Sequence, residues 1–543
     1  MKQVEQFYKQ YFNIDLPYEY QIKVWQQVNN LNFPLLLKSP TGSGKTEAVL
    51  APFLSQFVDN DFYIAPRMIY VLPMRVLVNN VAERIKKYVK KISPYISVEI
   101  QHGDLPDAPF FISDIVVTTL DQFFYGFARS SKQVGHHLDI PAGAIASSIV
   151  IFDEAHMYRD SFTFSIMRAL MEILYKSHVP FILMTATMPE SLEKSLFENI
   201  PLFDNQKIIG NIELNSTLKI TIEKDPLYSN NEVNISNSLL NKIKNHRTLI
   251  VVNQVKRAQK IYKELKKQLE LSDDQIVLLH SRFTRIDKES HEKKALSLIP
   301  HKERGKIIIP KNVGIVVSTQ VLEAGIDFSA ELLLTELAPA DSLVQRAGRC
   351  ARYEGEKGEM IIFPVEENKG HLPYKKELLS KTLEWLKNNQ NFNIKNFDEV
   401  CSFVNDTLDY KANDYEARDT LIDLYECVLY ADTEPKNIQV RKSKPVTLIV
   451  VDFSIGEGKK EKDIIRNSIR KTNLRENFID TDIGIAWQLF KNKILKYRFK
   501  YDIESKNWDY EEIRDIQPFD MYILEKNNYD KNIGVKNDSS YFI

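Results

Sequence analysis

The chain has 543 residues, 43% of them hydrophobic and 27% charged, with a formal net charge of −1. That length suggests about three or four domains with sizeable cores, and the near-zero charge excludes a protein that gathers nucleic acid through a global basic field, so any such binding must use local clusters in a cleft. Cys350, Cys401 and Cys427 are far apart and form no CxxC pair, which argues against a zinc site or a disulfide framework; the polar start, Met1 to Phe12, lacks a signal-peptide core and no apolar run approaches a membrane span, so a cytoplasmic location is expected.

Pro17-Tyr18-Glu19-Tyr20-Gln21 opens a helix-like segment that runs through Val28. The Gln21 amide offers both a donor and an acceptor, the pair that an adenine edge needs. Next comes the apolar run Leu35-Leu36-Leu37, then Ser39-Pro40-Thr41-Gly42-Ser43-Gly44-Lys45-Thr46, then a helix-like run from Glu47 to Leu54. Strand, glycine-bearing loop and helix start, in that order, predict a phosphate loop. Gly42 and Gly44 let the backbone turn tightly, so that the N–H groups around Ser43 converge on phosphate oxygens. The helix N-terminus adds positive potential there. Lys45 supplies a mobile charge for the terminal phosphates, and the Thr46 hydroxyl can reach Mg²⁺. Position 39 departs from the strict pattern, with Ser in place of Gly.

Apolar strand runs then alternate with helix-like runs. Strands are expected at Leu35–Lys38, Met68–Pro73, Ile115–Thr119, Ser148–Glu154 and Phe181–Thr187. After a less regular stretch they resume at Thr248–Asn253, Ile276–Ser281, Gly314–Thr319, Leu332–Leu337 and Met360–Pro364. This alternation predicts two α/β domains in tandem, over 1–210 and 211–366, each a parallel sheet covered by helices. The remainder, 367–543, reads as a mixed α+β accessory domain without a motif of its own. It holds helical runs at Leu378–Leu386 and Asp414–Tyr430, a β-like run at Val446–Phe453, and the charged loop Glu457-Gly458-Lys459-Lys460-Glu461-Lys462.

Asp153-Glu154-Ala155-His156 follows the strand Ile149-Val150-Ile151-Phe152. Ligands gather at the carboxyl ends of parallel strands. Asp153 there can hold Mg²⁺, and Glu154 is placed to orient and deprotonate a water for attack on the γ-phosphorus. Thr185 and Thr187 end the next strand, where their hydroxyls can link that turn to the other domain by hydrogen bonds. In the second domain, Arg346, Arg349 and Arg352 recur every three residues, so on a helix they would share one face. Three like charges so placed make sense opposite a triphosphate. ATP is therefore expected between the two domains, whose opening and closing would couple hydrolysis to movement.

The ordered set resembles a superfamily 2 DExH helicase over residues 17–365. The phosphate loop is similar to motif I, Pro73-Met74-Arg75-Val76-Leu77 to motif Ia, Asp153–His156 to motif II, and Thr185–Thr187 to motif III. Ser318-Thr319-Gln320-Val321-Leu322-Glu323-Ala324-Gly325-Ile326-Asp327 is similar to motif V, and Gln345–Arg352 to motif VI. Thr119-Leu120-Asp121-Gln122 and Leu279-His280-Ser281-Arg282-Phe283, taken with motifs V and VI, resemble the CRISPR-associated helicase of type I systems. Ala351 stands where many relatives outside that subfamily have Gly.

The resemblance implies two RecA-like domains and a motor, fuelled by ATP with Mg²⁺, that tracks single-stranded DNA 3′ to 5′ alongside an HD-type metal nuclease and a CRISPR surveillance complex. Because the loop lysine already stands at position 45 and the chain has no His-Asp dipeptide, the expectation is a helicase subunit with its nuclease on a separate chain. Carried over by position, Gln21 would meet the adenine and Asp327 the ribose side. Lys45 and Thr46 would meet phosphate and Mg²⁺, with Asp153 and Glu154 at metal and water. Gln345 would place the water, and Arg349 and Arg352 would touch the γ-phosphate. Arg75, Thr119, Asn253 and Thr319 would face the DNA backbone. Another DExH motor, for RNA or for repair, is the neighbouring alternative; a non-catalytic ATP-gated clamp is the other.

Overall fold

The computed structural model describes residues 2–536 except 104, 159, 213–214, 304–305, 324–326, 367–369, 430–444, 453–460, 475 and 503–506. The chain divides into two compact units. One is Met1–Glu213 with Asn391–Lys442, and the other is Leu214–Gln390 with Ser443–Ile543. The first crossing therefore falls beside the expected position 210. The expected accessory segment 367–543 is divided between the units: the chain returns to the first for 391–442 and ends in the second. The charged run Glu457-Gly458-Lys459-Lys460 lies outside the described residues, while Glu461 begins the helix Glu461–Lys471.

In the first unit, strands β1 (Leu35–Lys38), β2 (Arg67–Leu72), β3 (Val98–His102), β4 (Leu105–Pro106), β5 (Ile115–Thr119), β6 (Ser148–Phe152), β7 (Phe181–Thr185) and β8 (Lys207–Ile209) form one sheet in the order β4-β3-β5-β2-β6-β7-β1-β8. All neighbours are parallel except the short β3–β4 pair. The apolar runs split by alternation. Leu36, Ile69, Val71, Val150 and Phe152 enter one core, whereas Leu35, Leu37, Met68, Tyr70, Ile149 and Ile151 enter the other. A strand buried on both faces must be apolar throughout, which is why these segments read as continuous runs. Helices Phe397–Thr407 and Asp414–Leu424 dock onto this unit. Arg168 of the helix Ser161–Lys176 donates to Asp414 at 2.6 Å and pairs with Glu198 at 2.6 Å. Asn413 N–H donates to Ser165 Oγ at 2.7 Å, and Glu190 N–H to Asn405 Oδ1 at 2.9 Å.

The second unit contains β9 (Thr217–Ile222), the ribbon β10 (Tyr228–Ser229) and β11 (Glu232–Val233), β12 (Thr248–Val251), β13 (Ile276–Leu279), the ribbon β14 (His301–Glu303) and β15 (Lys306–Ile308), β16 (Ile315–Ser318), β17 (Leu332–Glu336) and β18 (Lys357–Phe363). Six of these make an all-parallel sheet, β13-β16-β12-β17-β18-β9. A second sheet, from β19 (Pro445–Val451), β20 (Phe478–Asp482), β21 (Tyr497–Asp502), β22 (Asn507–Glu512) and β23 (Met521–Glu525), has the order β20-β19-β23-β21-β22. Val446, Leu448 and Val450 of β19 share a core with Ile250, Val317 and Leu334 of the parallel sheet. Ile449 and Val451, on the opposite face of β19, pack with Ile465 and Ile469 of the helix Glu461–Lys471. The chain end, β24 (Tyr529–Asp530) with β25 (Gly534–Val535), seals the Leu279–Phe283 string. Val535 N–H donates to Arg282 O at 3.2 Å, the His280 imidazole bonds Ile533 O at 3.0 Å, and the His280 ring stacks on Phe283 at 4.2 Å.

Strands β3, β4, β8 and β9 were not expected from the sequence. They lie at or near sheet edges and are only partly buried, so their patterns are mixed rather than apolar. Arg168→Ala should leave two carboxylates without their shared guanidinium. The expected result is faster amide exchange in Asp414–Leu424 and a loss of about 1 kcal/mol, since both carboxylates are exposed, read by hydrogen exchange and a urea melt.

Candidate functional site

The site grows from the carboxyl ends of β1, β6 and β7, three adjacent strands of the first unit. Ser39 N–H donates to Thr185 O at 3.1 Å, which fixes the start of the loop to β7. Gly42 and Gly44 have φ of 85° and 90°, the left-handed region in which glycine carries no side-chain penalty. Gly44 is the N-cap of the helix Lys45–Asp59, so the free N–H groups of the first turn point out of the loop. Ser at position 39 also has a local reason: its hydroxyl donates to Gly210 O at 2.8 Å and lies 2.8 Å from Ser43 Oγ, tying the loop to the end of β8. Tyr20 braces it from the other side, its hydroxyl donating to Ser43 O at 2.8 Å.

Lys45 is only 6% exposed, and its ammonium donates to Ser39 O at 2.9 Å and Pro40 O at 3.1 Å. Those are the loop's own carbonyls, so the cation already sits over the loop that would take phosphate. Gln21, 1% exposed, is no solvated helical residue. Its amide nitrogen donates to Gly44 O at 3.0 Å and its oxygen accepts from Tyr18 N–H at 2.9 Å. Its observed contacts are with the loop and the start of its own helix.

Asp153 lies buried at the end of β6. Its Oδ1 accepts from Glu154 N–H at 2.8 Å and its Oδ2 from the Tyr70 hydroxyl at 2.6 Å; Tyr70 Oη is 3.4 Å from Thr46 Oγ1. Burial, and then the Glu154 charge, push the Asp153 carboxyl up to about 6 against the opposing pull of Lys45. Burial and Asp153 hold the Tyr70 phenol far above its ordinary range, so it remains a donor. Glu154 takes a left-handed φ of 52°, a conformation that costs free energy for a non-glycine residue and collects at functional sites. Its Oε2 is buried without a hydrogen-bond partner, 3.5 Å from His156 Nδ1. His156 Nδ1 bonds Thr185 Oγ1 at 2.9 Å, and Thr185 Oγ1 donates to Thr187 O at 2.9 Å, so Thr185 touches the acidic turn while the Thr187 hydroxyl makes no hydrogen bond.

This donor set suits Mg²⁺, a hard cation that takes oxygen ligands and is often held by one or two carboxylates plus phosphates. Asp153 and Thr46 could hold it, and Glu154 Oε2 makes no hydrogen bond, with His156 Nδ1 at 3.5 Å. Among the described residues no group of three or more His, Cys, Asp or Glu forms a metal cage, and such a magnesium needs none.

Arg75 and Thr119 stand at the ends of β2 and β5, on the other half of the same sheet edge. The Thr119 hydroxyl is buried without a hydrogen-bond partner, and the Arg75 guanidinium lies where a side chain at Gly103 would fall.

In the second unit, the helix Ala340–Ala347 ends before the arginine series does, with Gly348 as its C-cap. Arg346, Arg349 and Arg352 therefore do not share a helix face, contrary to the spacing argument. Arg346 turns inward and is 1% exposed. It donates to Glu323 Oε1 at 2.9 Å, Thr335 Oγ1 at 2.9 Å, Glu336 O at 3.0 Å, Asn253 Oδ1 at 3.0 Å and Tyr374 Oη at 3.2 Å. Arg349 donates to Leu322 O at 3.2 Å and Glu323 O at 3.1 Å, while Arg352 pairs with Asp327 at 2.7 Å. Both thus rest on the loop around 318–327, of which Ala324-Gly325-Ile326 lie outside the described residues. Gln345 and Thr319 are buried beside them. The Asn253 side chain is committed inward, donating to Leu337 O at 2.9 Å and accepting from Arg346. It braces the arginine rather than presenting itself to a strand.

Tyr70, Tyr20, Glu323 and Gly210 were not singled out from the sequence. A tyrosine inside an apolar strand reads as core, and only its buried hydroxyl, which must find a partner, hints at more.

The chain matches the DEAD/DEAH box helicase family over residues 18–195. It also matches the family described as CRISPR-associated nuclease/helicase Cas3, C-terminal, over residues 244–355. It is 28% identical to the CRISPR-associated helicase Cas3 of Thermoproteus tenax, over 85% of this chain and 80% of that protein. Identity is also 28% to the putative CRISPR-associated nuclease/helicase Cas3 of Methanocaldococcus jannaschii, over 68% of this chain but only 51% of that protein. The crystal structure of T. fusca Cas3 aligns with a TM-score of 0.69 at 18% identity, over 96% of this chain and 68% of that one, a likeness of fold. The helicase-family match and these relatives, with the phosphate loop and the acidic turn, identify an ATP-hydrolysing DEAD/DEAH-box nucleic-acid helicase. Within that class the chain is similar to the Cas3 helicases.

Two predictions follow from these contacts. Arg346→Ala would remove a buried guanidinium that five oxygen acceptors share and should destabilise the second unit by about 3–5 kcal/mol, read in a urea melt. For Asp153, a carboxyl raised in the folded state favours folding below its unfolded value near 4 and withdraws that support as pH climbs to about 6. Asp153→Asn should therefore raise the melting temperature of the nucleotide-free protein at pH 8, with the gain fading toward pH 4.

Proposed function

We propose that this protein is an ATP-driven translocase on single-stranded DNA, moving 3′ to 5′, that unwinds target DNA in CRISPR antiviral defence. In this reading a surveillance complex recruits it, and a separate HD nuclease cuts the strand it delivers. Lys45, with Gly42, Ser43, Gly44 and Thr46, takes the phosphates. Thr46 and Asp153 would hold Mg²⁺, which would supply positive charge against the phosphates. Glu154 orients the attacking water, aided by Gln345 from the second unit. Arg349 and Arg352 leave their own carbonyl and carboxylate partners for the γ-phosphate, Asp327 serves the ribose side, and Gln21 the adenine.

Strand contact falls to Arg75, Thr119 and Thr319, because tracking needs backbone contacts that ignore base identity. Asn253 is left as a brace. Thr185 and Thr187 relay the state of the acidic turn. The observation that carries the hydrolytic part is Glu154 Oε2, buried and without a hydrogen-bond partner beside Asp153. A site built only to clamp ATP has no use for such a group. The CRISPR assignment rests on the Cas3-named relatives, and one similar fold belongs to a CRISPR RNA-guided surveillance complex, pre-nicking. The single-strand assignment is supported by a related fold, the Mycobacterium smegmatis helicase Lhr, solved bound to ssDNA and AMP-PNP.

Single-stranded DNA should raise phosphate release several-fold, and that stimulation should fall steeply with salt. Lys45→Ala should abolish release while the melting curve stays close to wild type. Stimulation by RNA but not DNA would instead favour an RNA motor, and near-normal hydrolysis by Lys45→Ala would refute the site.

A further inference from the structure

One buried phenol is not used by the function described so far. Tyr70 sits within β2, fully buried, its ring in the core that also holds Leu35, Leu37 and Ile151. Phenylalanine would fill that space without carrying a hydroxyl away from water, and such a hydroxyl must be matched by a partner. Here the partner is Asp153 Oδ2 at 2.6 Å, a charge-assisted contact of the short, strong kind. The same Oη lies 3.4 Å from Thr46 Oγ1, longer than a full hydrogen bond, so the main tie is to the carboxylate.

The placement is rigid. Strands β2 and β6 are neighbours, Tyr70 is opposite Ile151, and Asp153 N–H donates to Val71 O at 2.9 Å. Phenol and carboxylate therefore stand on two paired strands and not on loops. With Glu154 N–H on Oδ1 at 2.8 Å, both oxygens of Asp153 are aimed by donors from known directions.

We propose that Tyr70 is a positioning residue for the metal: its hydroxyl sets the plane of the Asp153 carboxylate and the distance from it to the Thr46 hydroxyl, so that both meet one Mg²⁺. This rests on the reading of Thr46 and Asp153 as metal-binding. Groups that orient a metal ligand from behind typically govern metal affinity about 10–100-fold.

The test uses the full chain, with Mn²⁺ as the probe. Free and bound Mn²⁺ are read by electron paramagnetic resonance at saturating ADP, and ADP affinity is measured separately in EDTA. In Tyr70→Phe, Mn²⁺ affinity should fall about tenfold, while ADP affinity in EDTA and the circular dichroism spectrum stay as in wild type. Unchanged Mn²⁺ affinity in the folded variant overturns the proposal. Loss of ADP affinity in EDTA also overturns it, because the hydroxyl would then serve the loop as a whole. If wild type itself binds no Mn²⁺ with ADP, the metal reading of Thr46 and Asp153 fails, a result distinct from the other two. Should Tyr70→Phe not fold, Tyr70→Met supplies an adaptable apolar filler that equally lacks the hydroxyl. Failure of both to fold overturns the proposal, since the hydroxyl would then serve the core.

Discussion

A carboxylate held out of water directly beneath a phosphate loop is the constraint from which the first unit is built. Asp153 has no bulk solvent to stabilise its charge, so every neighbour matters: a phenol from β2, an amide from its own turn and the Lys45 charge favour ionisation, while burial and Glu154 oppose it. The balance leaves the carboxyl near the middle of the accessible pH range. If Asp153 holds a magnesium ion as proposed above, the cation would favour the anion.

The sheet order sets two groups of residues side by side along one edge. Strands β6, β7 and β1 are contiguous and carry the acidic turn, the threonine relay and the phosphate loop. Strands β5 and β2 lie beside them and carry Thr119 and Arg75. Tyr70 belongs to the second group by strand and to the first by contact. In the second unit, cations are likewise matched from within, Arg346 by Glu323 and Arg352 by Asp327. In the proposed function, a triphosphate would have to compete with these existing contacts of Arg349 and Arg352.

Much of this was legible in the residues. Strands buried on both faces declare themselves as unbroken apolar runs, and the phosphate loop needs a residue order that chance rarely supplies. Less legible was what depends on partners distant in sequence. The three-residue spacing of Arg346, Arg349 and Arg352 suggested one helix face, but Gly348 ends the helix, and Arg346 has a buried acid to satisfy 23 residues away. The glycine was a stop signal in plain view. Asn253 looked available until its amide proved to be committed at both ends. Edge strands β8 and β9 are short of an apolar run because their exposed positions include Lys207, Thr217 and Lys219.

The most direct measurement is the proton count on binding Mg²⁺ with ADP, by calorimetry in buffers of different ionisation enthalpy. With Asp153 pushed up to about 6, wild type should release more protons near pH 6 than Asp153→Asn does, and the difference should vanish at pH 8. Equal release by the two proteins at both pH values would contradict the account, because the carboxylate would then be neither poised by its burial nor engaged by the metal.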